Sequence, residues 1–251
     1  SAATCARAAA LPDGAAGVQA QAGESAVECV ARQAALHDIV WLVAPETDGL
    51  LAQLQRAVPA ARWLGCDAAS IALAGSKRAT TERLAARGVL TPLAFAHDPS
   101  TRRWVSKPDD GAGAVDTRLH GDLSAARDLA SASMVIEPWV EGAAMSLSLS
   151  CRPGHVELLC VNRQHIGIDA RGQVSFDGVS IDRDADHAAL EPVTRDVARA
   201  MPGLRGFVGI DVVWHEARGP VVIEVNPRVT CAYVGLSAAL GRNLAAELLH
   251  A

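Results

Sequence analysis

Two apolar, strand-like runs near the C-terminus constrain the fold more than any other part of the chain. They occupy residues 207–214 and 221–228, and a Gly-Pro pair precedes the second run. Successive side chains of a strand point to opposite faces, so Glu224 and Asn226 share one face of the second run. A hairpin between the two runs would bring Asp211 of the first run beside that pair.

Asp211, Glu224 and Asn226 together form a candidate metal site. Two carboxylates and an amide oxygen are hard ligands, which favour Mg²⁺ or Mn²⁺ carrying a phosphate over zinc or copper. Arg228 lies just beyond them and supplies a planar cation that matches phosphate or carboxylate groups. The pattern therefore predicts a nucleotide–metal site at this hairpin.

The composition excludes several other classes of protein. The 251 residues are half hydrophobic, which is enough to bury a core in one or two compact units. A net charge of −5 without a basic stripe argues against a nucleic-acid partner. No apolar run approaches the roughly 20 residues that span a bilayer, so no membrane segment is predicted. The six scattered cysteines include no Cys-x-x-Cys pair, which indicates reduced thiols in a cytoplasmic protein.

The N-terminal part alternates short apolar runs with helical spacing. Residues 38–44 are interpreted as a buried parallel strand and residues 61–64 as a second strand, with a helix predicted at residues 49–58. This alternation is α/β in character. Residues 1–23 are rich in alanine and glycine and weakly patterned. They form a mobile segment, or the chain begins after a missing first strand.

Hairpins and flanking helices are predicted for the rest of the chain. Residues 145–168 alternate polar and apolar side chains, which is typical of an antiparallel sheet with one buried face. Further strands are predicted at residues 103–108 and 134–140, and helices at residues 70–74, 77–88, 123–131, 192–200 and 235–250.

Two lysines have a phosphate-binding interpretation and an ordinary alternative. Lys107 ends a strand before the loop Gly111-Ala112-Gly113, whose glycines let the backbone approach a phosphate. The alternative is a surface turn, which commonly contains Asp-Gly. Lys77 lies at the start of a predicted helix, where a solvated lysine is the ordinary interpretation. Neither segment matches the Gly-Lys-Ser/Thr phosphate loop.

Two further segments are candidates for ligand contacts. Residues 137–142 can bind a purine edge through main-chain groups, with Trp139 or Val140 against the ring, or they form an edge strand with a core tryptophan. Asn162-Arg163-Gln164 follows an apolar strand, where it lines a cleft or simply ends the strand.

Taken in order, these segments resemble the motifs of the ATP-grasp superfamily. The resemblance rests on Lys77, on Lys107-Pro108 with its glycine loop, on residues 137–142, on Asp211, and on Glu224-Val225-Asn226-Pro227-Arg228. It covers about residues 69–251. Each motif is short, but five in the right order with plausible gaps are hard to obtain by chance.

The resemblance implies a role for each matching residue. Contacts to ATP are implied for Lys77, Lys107, Gly111, Gly113, Glu137, Pro138, Trp139, Val140 and Glu141. Metal ligation is implied for Asp211, Glu224 and Asn226, and catalytic roles for Lys107 and Arg228. Many relatives carry a second glutamate for the ribose hydroxyls where this chain has Ala144. Either Glu141 substitutes for it, or the ribose is held more loosely.

The resemblance also implies the fold and its domains. An α/β N-terminal part, residues 1–75, is expected to precede an α+β ATP-grasp fold of antiparallel sheets and flanking helices, with the nucleotide held between two subdomains. These are a lid and nucleotide subdomain at residues 76–144 and a metal-binding subdomain at residues 145–251. Residues 91–133 are the expected lid.

The implied activity is that of an ADP-forming carbon–nitrogen ligase that joins a carboxylate to an amine through an acyl phosphate. Residues 44–48, 162–164 and 226–230 are most similar to the branch that contains tyramine–glutamate ligase of methanofuran synthesis. This implies glutamate and tyramine or a similar amine as substrates. Substrate contacts are then expected from Asn162, Arg163, Gln164, Arg228 and Thr230. The alternative functions are an ATP-grasp kinase and a non-catalytic nucleotide-binding domain. The sequence also leaves open a homodimer.

Overall fold

The computed structural model describes residues 15–249, so most of the weakly patterned segment at residues 1–23 lies outside the described residues. Helices α1 (Ala26–Ala34), α2 (Leu50–Arg56) and α3 (Ala68–Ala74) form the N-terminal part. The Ser25 side chain accepts from the Glu28 N–H and the Glu28 carboxylate accepts from the Ser25 N–H, a capping box that fixes the start of α1.

The two strands predicted in the N-terminal part are wrong in extent, although their parallel direction is confirmed. Only Val40 and Trp63 form a parallel bridge. A buried parallel strand needs a covering layer on both faces. Here Val43 is 70% exposed, so the run at residues 38–44 has no such layer and stays irregular.

A three-stranded antiparallel sheet forms one side of the structure and is here called the lid sheet, because two of its strands lie in the lid expected at residues 91–133. Its strands are β1 (Trp104–Pro108), β2 (Arg118–His120) and β3 (Met134–Pro138), in the order β2-β1-β3. Helix α4 (Lys77–Ala85) precedes the sheet and α5 (Leu123–Leu129) connects β2 to β3. The Ser76 side chain accepts from the Ala79 N–H and so begins α4 at Lys77.

A five-stranded antiparallel sheet forms the other side. Its strands are β4 (Ala143–Arg152), β5 (His155–Ile168), β6 (Val174–Ile181), β7 (Gly206–His215) and β8 (Gly219–Asn226), in the order β6-β5-β4-β7-β8. This confirms the antiparallel sheet predicted at residues 145–168 and the hairpin predicted from the two C-terminal runs.

The core of the larger sheet lies where β4 and β7 pair. Leu147 and Leu149 of β4 and Val208 and Ile210 of β7 have 0% exposure. Each such side chain stabilises the fold by about 1.5–3 kcal/mol. Because Ile210 points into this core, Asp211 beside it must point to the opposite face, and the sheet is a well-packed support for that carboxylate.

Two predicted helices have different bounds in the structure. Helix α6 is His187–Ala200, five residues longer at its start than predicted, because the Asp186 side chain accepts from the Ala189 N–H and caps it. The single helix predicted at residues 235–250 is two short helices, α7 (Leu236–Leu240) and α8 (Leu244–Leu249). Gly241 between them has φ +65°, which ends α7.

The two sheets are joined by a pair of main-chain hydrogen bonds, here called the clasp. Leu119 N–H donates to Gly172 C=O at 2.7 Å, and Val174 N–H donates to Thr117 C=O at 2.9 Å. The clasp fixes β2 of the lid sheet to the turn between β5 and β6, and a cavity lies between the sheets. Within residues 15–249, no helix has the length and apolar character needed to cross a membrane.

Candidate active site

The cavity between the two sheets has a volume of about 570 Å³ and contains most of the residues singled out in the sequence. The predicted site residues that line it are Lys77, Lys107, Gly111, Gly113, Glu137, Pro138, Trp139, Val140, Gln164, Asp211, Glu224, Asn226, Arg228 and Thr230. They come from both sheets, from α4 and from the loop after β1. One cavity therefore collects residues that are up to about 150 positions apart in the sequence.

The β7–β8 hairpin places the acidic residues side by side. Asp211 of β7 pairs with Glu224 of β8, while the neighbouring pair is Val212 with Val222, so Ile223 has no partner across the ladder. Such a β-bulge re-aims side chains. As a result Ile223 and Glu224 both line the cavity although they are consecutive.

Two amide side chains hold the Asp211 carboxylate in the cavity. It accepts from Gln164 Nε2 at 3.0 Å and from Asn226 Nδ2 at 3.3 Å. Removal from water and the nearby Glu224 carboxylate raise the pKa of Asp211 to about 7. Two carboxylates this close favour a proton or a cation between them at neutral pH.

The donor set fits a hard divalent cation that also binds a ligand. Asp211 and Glu224 offer two carboxylates, and Asn226 offers an amide oxygen that accepts from Arg228 Nη2 at 3.3 Å in this structure. This is the oxygen chemistry that Mg²⁺ prefers. No cluster of three or more His, Cys, Asp or Glu side chains suited to a metal occurs in the described part of the chain. A cation here would therefore complete its shell with phosphate oxygens or water rather than with protein alone.

Both lysines are buried and paired with carboxylates. Lys77 Nζ lies 3.2 Å from Glu224 Oε1, and Lys107 Nζ lies 2.7 Å from Glu137 Oε2. Each lysine is only 6% exposed. Burial alone would favour the neutral amine of Lys107, but Glu137, Glu224 and Asp211 together raise its pKa above the usual value. The cavity therefore presents two fixed positive charges.

The loop after β1 has an unusual backbone with three residues in the left-handed region. Gly113, Ala114 and Asp116 have φ of +69°, +60° and +52°. Two of these residues carry a Cβ, and such backbone is unfavourable unless the surroundings impose it. Lys77 Nζ donates to Gly111 C=O, and Asp109 accepts from the Arg78 N–H at 2.9 Å, which ties the loop to α4.

The end of β3 forms an apolar wall of the cavity. Trp139 N–H donates to Arg103 C=O at 2.9 Å, so this donor is already used within the lid sheet. Val140 is 6% exposed, and Ala144 lines the same cavity. Glu141 binds Arg103 at 2.6 Å with its own side chain 62% exposed. The structure does not bring Glu141 to the cavity, because its carboxylate faces solvent and binds Arg103 instead.

Two predicted substrate residues also lie away from the cavity. Asn162 is 1% exposed and donates to Ser146 C=O at 3.0 Å and to Ser148 Oγ at 3.1 Å. Its amide is used within the sheet, between β5 and β4. Arg163 points to the other face of β5 and binds Asp182 at 3.0 Å. Gln164 alone of this tripeptide lines the cavity.

Arg228 is held by a residue that no sequence motif indicated. Its guanidinium binds Glu46 through Nε at 3.0 Å and Nη2 at 2.9 Å, and Glu46 is 6% exposed. The two residues are 182 positions apart. Residues 44–48 were singled out only by a family resemblance, and their local sequence pattern does not indicate that Glu46 contacts Arg228.

Thr230 has a hydroxyl group directed to no protein acceptor. Its Oγ1 is buried without a hydrogen-bond partner among the described residues, and Thr230 lines the cavity. An unpaired buried hydroxyl costs about 1–3 kcal/mol. A polar ligand in the cavity would remove that cost.

Comparisons with known proteins identify the family. The sequence profile of the ATP-grasp domain matches residues 74–232, more than half of the chain. The profile of the pre ATP-grasp 3 domain matches residues 2–71. No curated protein sequence matches significantly.

Solved structures share the fold at low identity. D-cycloserine synthetase DcsG is 21% identical with a TM-score of 0.66, covering 89% of this chain and 92% of that one. L-amino acid ligase from Bacillus licheniformis is 17% identical with a TM-score of 0.64, covering 89% and 57%. The biotin carboxylase domain of 2-oxoglutarate carboxylase from Hydrogenobacter thermophilus, solved with MgADP and bicarbonate, is 14% identical with a TM-score of 0.65, covering 89% and 56%. The chain spans just over half of the last two proteins. By its match over residues 74–232, the chain belongs to the ATP-grasp family.

Proposed function

We propose that this protein is an ATP-dependent, ADP-forming ligase that joins a small-molecule carboxylate to an amine. The observation that supports this most strongly is the composition of one cavity. Two buried lysines, an arginine and the oxygen ligands Asp211, Glu224 and Asn226 all line it. This is the charge pattern that a transferring phosphoryl group requires.

In the first step an oxygen of the substrate carboxylate attacks the γ-phosphoryl group of ATP. The new O–P bond forms as the bond to the ADP oxygen breaks, and negative charge spreads over the phosphoryl oxygens. Lys77 and Lys107 hold positive charge beside that group. When bound by Asp211, Glu224 and Asn226, Mg²⁺ or Mn²⁺ supplies further charge neutralisation. The products of this step are an acyl phosphate and ADP.

In the second step the amine nitrogen attacks the acyl carbon. The tetrahedral oxyanion collapses to an amide, with loss of phosphate and of the proton on nitrogen. Arg228 stabilises the oxyanion or the departing phosphate with its positive charge and with the one N–H of Nη1 that has no acceptor among the described residues. An amine that arrives neutral requires no strong protein base. Catalysis then rests on positioning and electrostatics behind the lid of residues 91–133, which excludes water.

Glutamate is the proposed acid, and tyramine or a similar aromatic amine the proposed nucleophile, as in methanofuran-type cofactor synthesis. The sequence resemblance of residues 44–48 and 226–230 supports this choice. One N–H of Arg228 Nη1 has no acceptor among the described residues and can donate to a substrate carboxylate, and the unpaired hydroxyl of Thr230 offers a second polar contact. Gln164, Arg228 and Thr230 are the substrate residues retained, and a cytoplasmic location is expected.

The test is a screen for ADP release by the full chain with MgATP, amino acids and amines, starting with glutamate and tyramine. Release is expected only when an acid and an amine are both present. Hydroxylamine in place of the amine should trap an acyl hydroxamate. Release with an alcohol and no carboxylic acid would favour an ATP-grasp kinase. Binding of ATP without turnover in any pair would favour a non-catalytic nucleotide-binding domain.

A further inference from the structure

A buried carboxylate from the N-terminal part reaches the arginine of the cavity. Glu46 follows the irregular run at residues 38–44, and no regular element of the ATP-grasp domain contains it. Both of its oxygens lie 3.0 Å from Arg228 Nε, and Oε2 also lies 2.9 Å from Nη2. With side chains 6% and 15% exposed, the pair is shielded from water.

The guanidinium of Arg228 is almost fully used by the protein. Nη2 also donates to Asn226 Oδ1 at 3.3 Å, and Nη1 donates to the carbonyl of Val229 at 3.3 Å. Of five N–H groups in a guanidinium, four therefore have acceptors. One N–H of Nη1 has no acceptor among the described residues. The group is fixed in its plane and keeps one donor for a ligand.

Glu46 also competes with the other carboxylates near Arg228. Asn226 lies between Arg228 and Asp211, because its Oδ1 accepts from Arg228 Nη2 and its Nδ2 donates to Asp211 Oδ2, each at 3.3 Å. Without Glu46, the strongest partners of a buried guanidinium would be Asp211 and Glu224. Arg228 would then turn toward the carboxylates of Asp211 and Glu224 and away from the phosphate groups of a bound nucleotide. The bidentate contact with Glu46 prevents that rearrangement.

We propose that Glu46 is a positioning residue that aims Arg228 at the γ-phosphoryl group and keeps it from the carboxylates of the metal site. The proposal rests on the proposed function, because it takes Arg228 as the residue beside that group. Through Glu46, the N-terminal part would contribute to the chemistry of the ATP-grasp domain.

The test compares the affinities of MgADP and of the ATP analogue Mg-AMP-PNP by calorimetry. The dissociation constant of MgADP divided by that of Mg-AMP-PNP gives the preference for AMP-PNP, and this ratio isolates contacts to the γ-phosphoryl group. A general loss of structure changes both constants together and leaves the ratio unchanged. Glu46→Gln should reduce the preference for AMP-PNP about tenfold, the value of one charge-assisted hydrogen bond. Arg228→Met should reduce it as much, and the double variant no further.

Glu24→Gln is the matched control. Glu24 also lies in the N-terminal part and binds Arg32 through two hydrogen bonds at 2.7 Å, and neither residue lines the cavity. This variant should keep the wild-type ratio. If Glu46→Gln fails to fold, Glu46→Asp keeps the charge on a shorter side chain and should show a smaller reduction.

The outcomes separate the inference from the function on which it rests. A ratio that falls in Arg228→Met but not in Glu46→Gln overturns the role of Glu46 alone. A ratio that rises in Glu46→Gln also overturns it, because Glu46 would then compete with phosphate for Arg228. If neither variant changes the ratio, Arg228 does not serve the γ-phosphoryl group, and the proposed arginine chemistry fails with the inference.

Discussion

At the scale of single residues, the cavity is a set of charges held in pairs. Lys77 with Glu224, Lys107 with Glu137 and Arg228 with Glu46 are each within 3.2 Å. Buried pairs of this kind contribute little net stability, yet removing one partner leaves an uncompensated charge. Each substitution therefore tests both function and fold, and the two effects have to be measured separately.

Glu224→Gln should abolish turnover and leave the fold intact. Glutamine keeps an oxygen that can accept from Lys77 but removes a charged oxygen ligand. The loss of several kcal/mol of charge stabilisation should lower the rate at least about 100-fold. Lys77 loses its charge partner, but the repulsion between Glu224 and Asp211 is relieved, so the temperature of unfolding should fall by only a few degrees. Glu157→Gln is the control, because Glu157 lies on β5 and binds Arg242 at 2.6 Å outside the cavity. ADP release at the wild-type rate by folded Glu224→Gln would contradict the metal-site assignment.

Lys107→Met should weaken ATP binding and also destabilise the protein. From the sequence alone, a lysine at a strand end is expected to tolerate methionine. In the structure the change leaves Glu137, 4% exposed, without its partner, which should cost about 3–5 kcal/mol. Lys107→Met combined with Glu137→Leu should regain most of that stability but not ATP affinity. Denaturant unfolding checks this, and an unchanged midpoint in the single variant would show that the pair is not buried in solution.

The positions of individual side chains could be predicted from the sequence where a strand pattern and a local motif agreed. The alternation around Glu224 and Asn226 correctly placed both in the cavity, beside Asp211. The same reasoning could not place Asn162 or Arg163, because they lie inside β5 rather than at its end, and polar residues within a strand do not show which face lines a cavity. The contact between Glu46 and Arg228 could not be predicted in this way, since contacts between distant segments leave no periodic pattern in the sequence.

At the scale of elements, the clasp joins the lid sheet to the larger sheet. Gly172 has φ +79°, and a Cβ there would lie 2.3 Å from the carbonyl oxygen of Leu119. Thr117 and Val174, whose main chains form one clasp bond, both line the cavity. The position of the lid over the site therefore depends on a close backbone approach that only glycine permits.

Gly172→Ala should open the clasp and weaken nucleotide binding. Gly154→Ala is a closely matched control, because Gly154 has φ +73° and a Cβ added there would have no heavy atom within 4 Å. Both variants incur the left-handed penalty of about 1–2 kcal/mol. Only Gly172→Ala should raise the dissociation constant of Mg-AMP-PNP and speed hydrogen exchange at Leu119. Equal behaviour of the two variants would show that the clasp does not hold the lid.

Elements were predictable where packing and periodicity pointed to the same structure. The pairing of β4 with β5 was predicted from alternation, and the β7–β8 hairpin from two apolar runs that flank a Gly-Pro turn. The N-terminal strands were not, since an apolar run at residues 38–44 does not reveal that it lacks a covering layer. The C-terminal helix was overestimated because its periodicity continues across Gly241, whose φ of +65° interrupts it.

At the scale of the whole molecule, the N-terminal part and the ATP-grasp domain meet at the end of the cavity that contains Arg228. Val43, Ala44 and Pro45 contribute to the cavity wall, and Glu46 holds Arg228. The reaction proposed here therefore uses residues from both parts. The order of motifs in the sequence predicted the fold, whereas this contact between the parts required the structure.

The central claim is that a carboxylate is activated as an acyl phosphate, and oxygen transfer tests it most directly. A substrate acid labelled with ¹⁸O in its carboxylate is turned over with MgATP and the amine selected in the screen. Attack on the γ-phosphoryl group carries a carboxylate oxygen into the phosphate that the amine later displaces. We predict one ¹⁸O atom in each molecule of released phosphate, measured by mass spectrometry. Unlabelled phosphate, formed together with the amide, would contradict the acyl-phosphate mechanism.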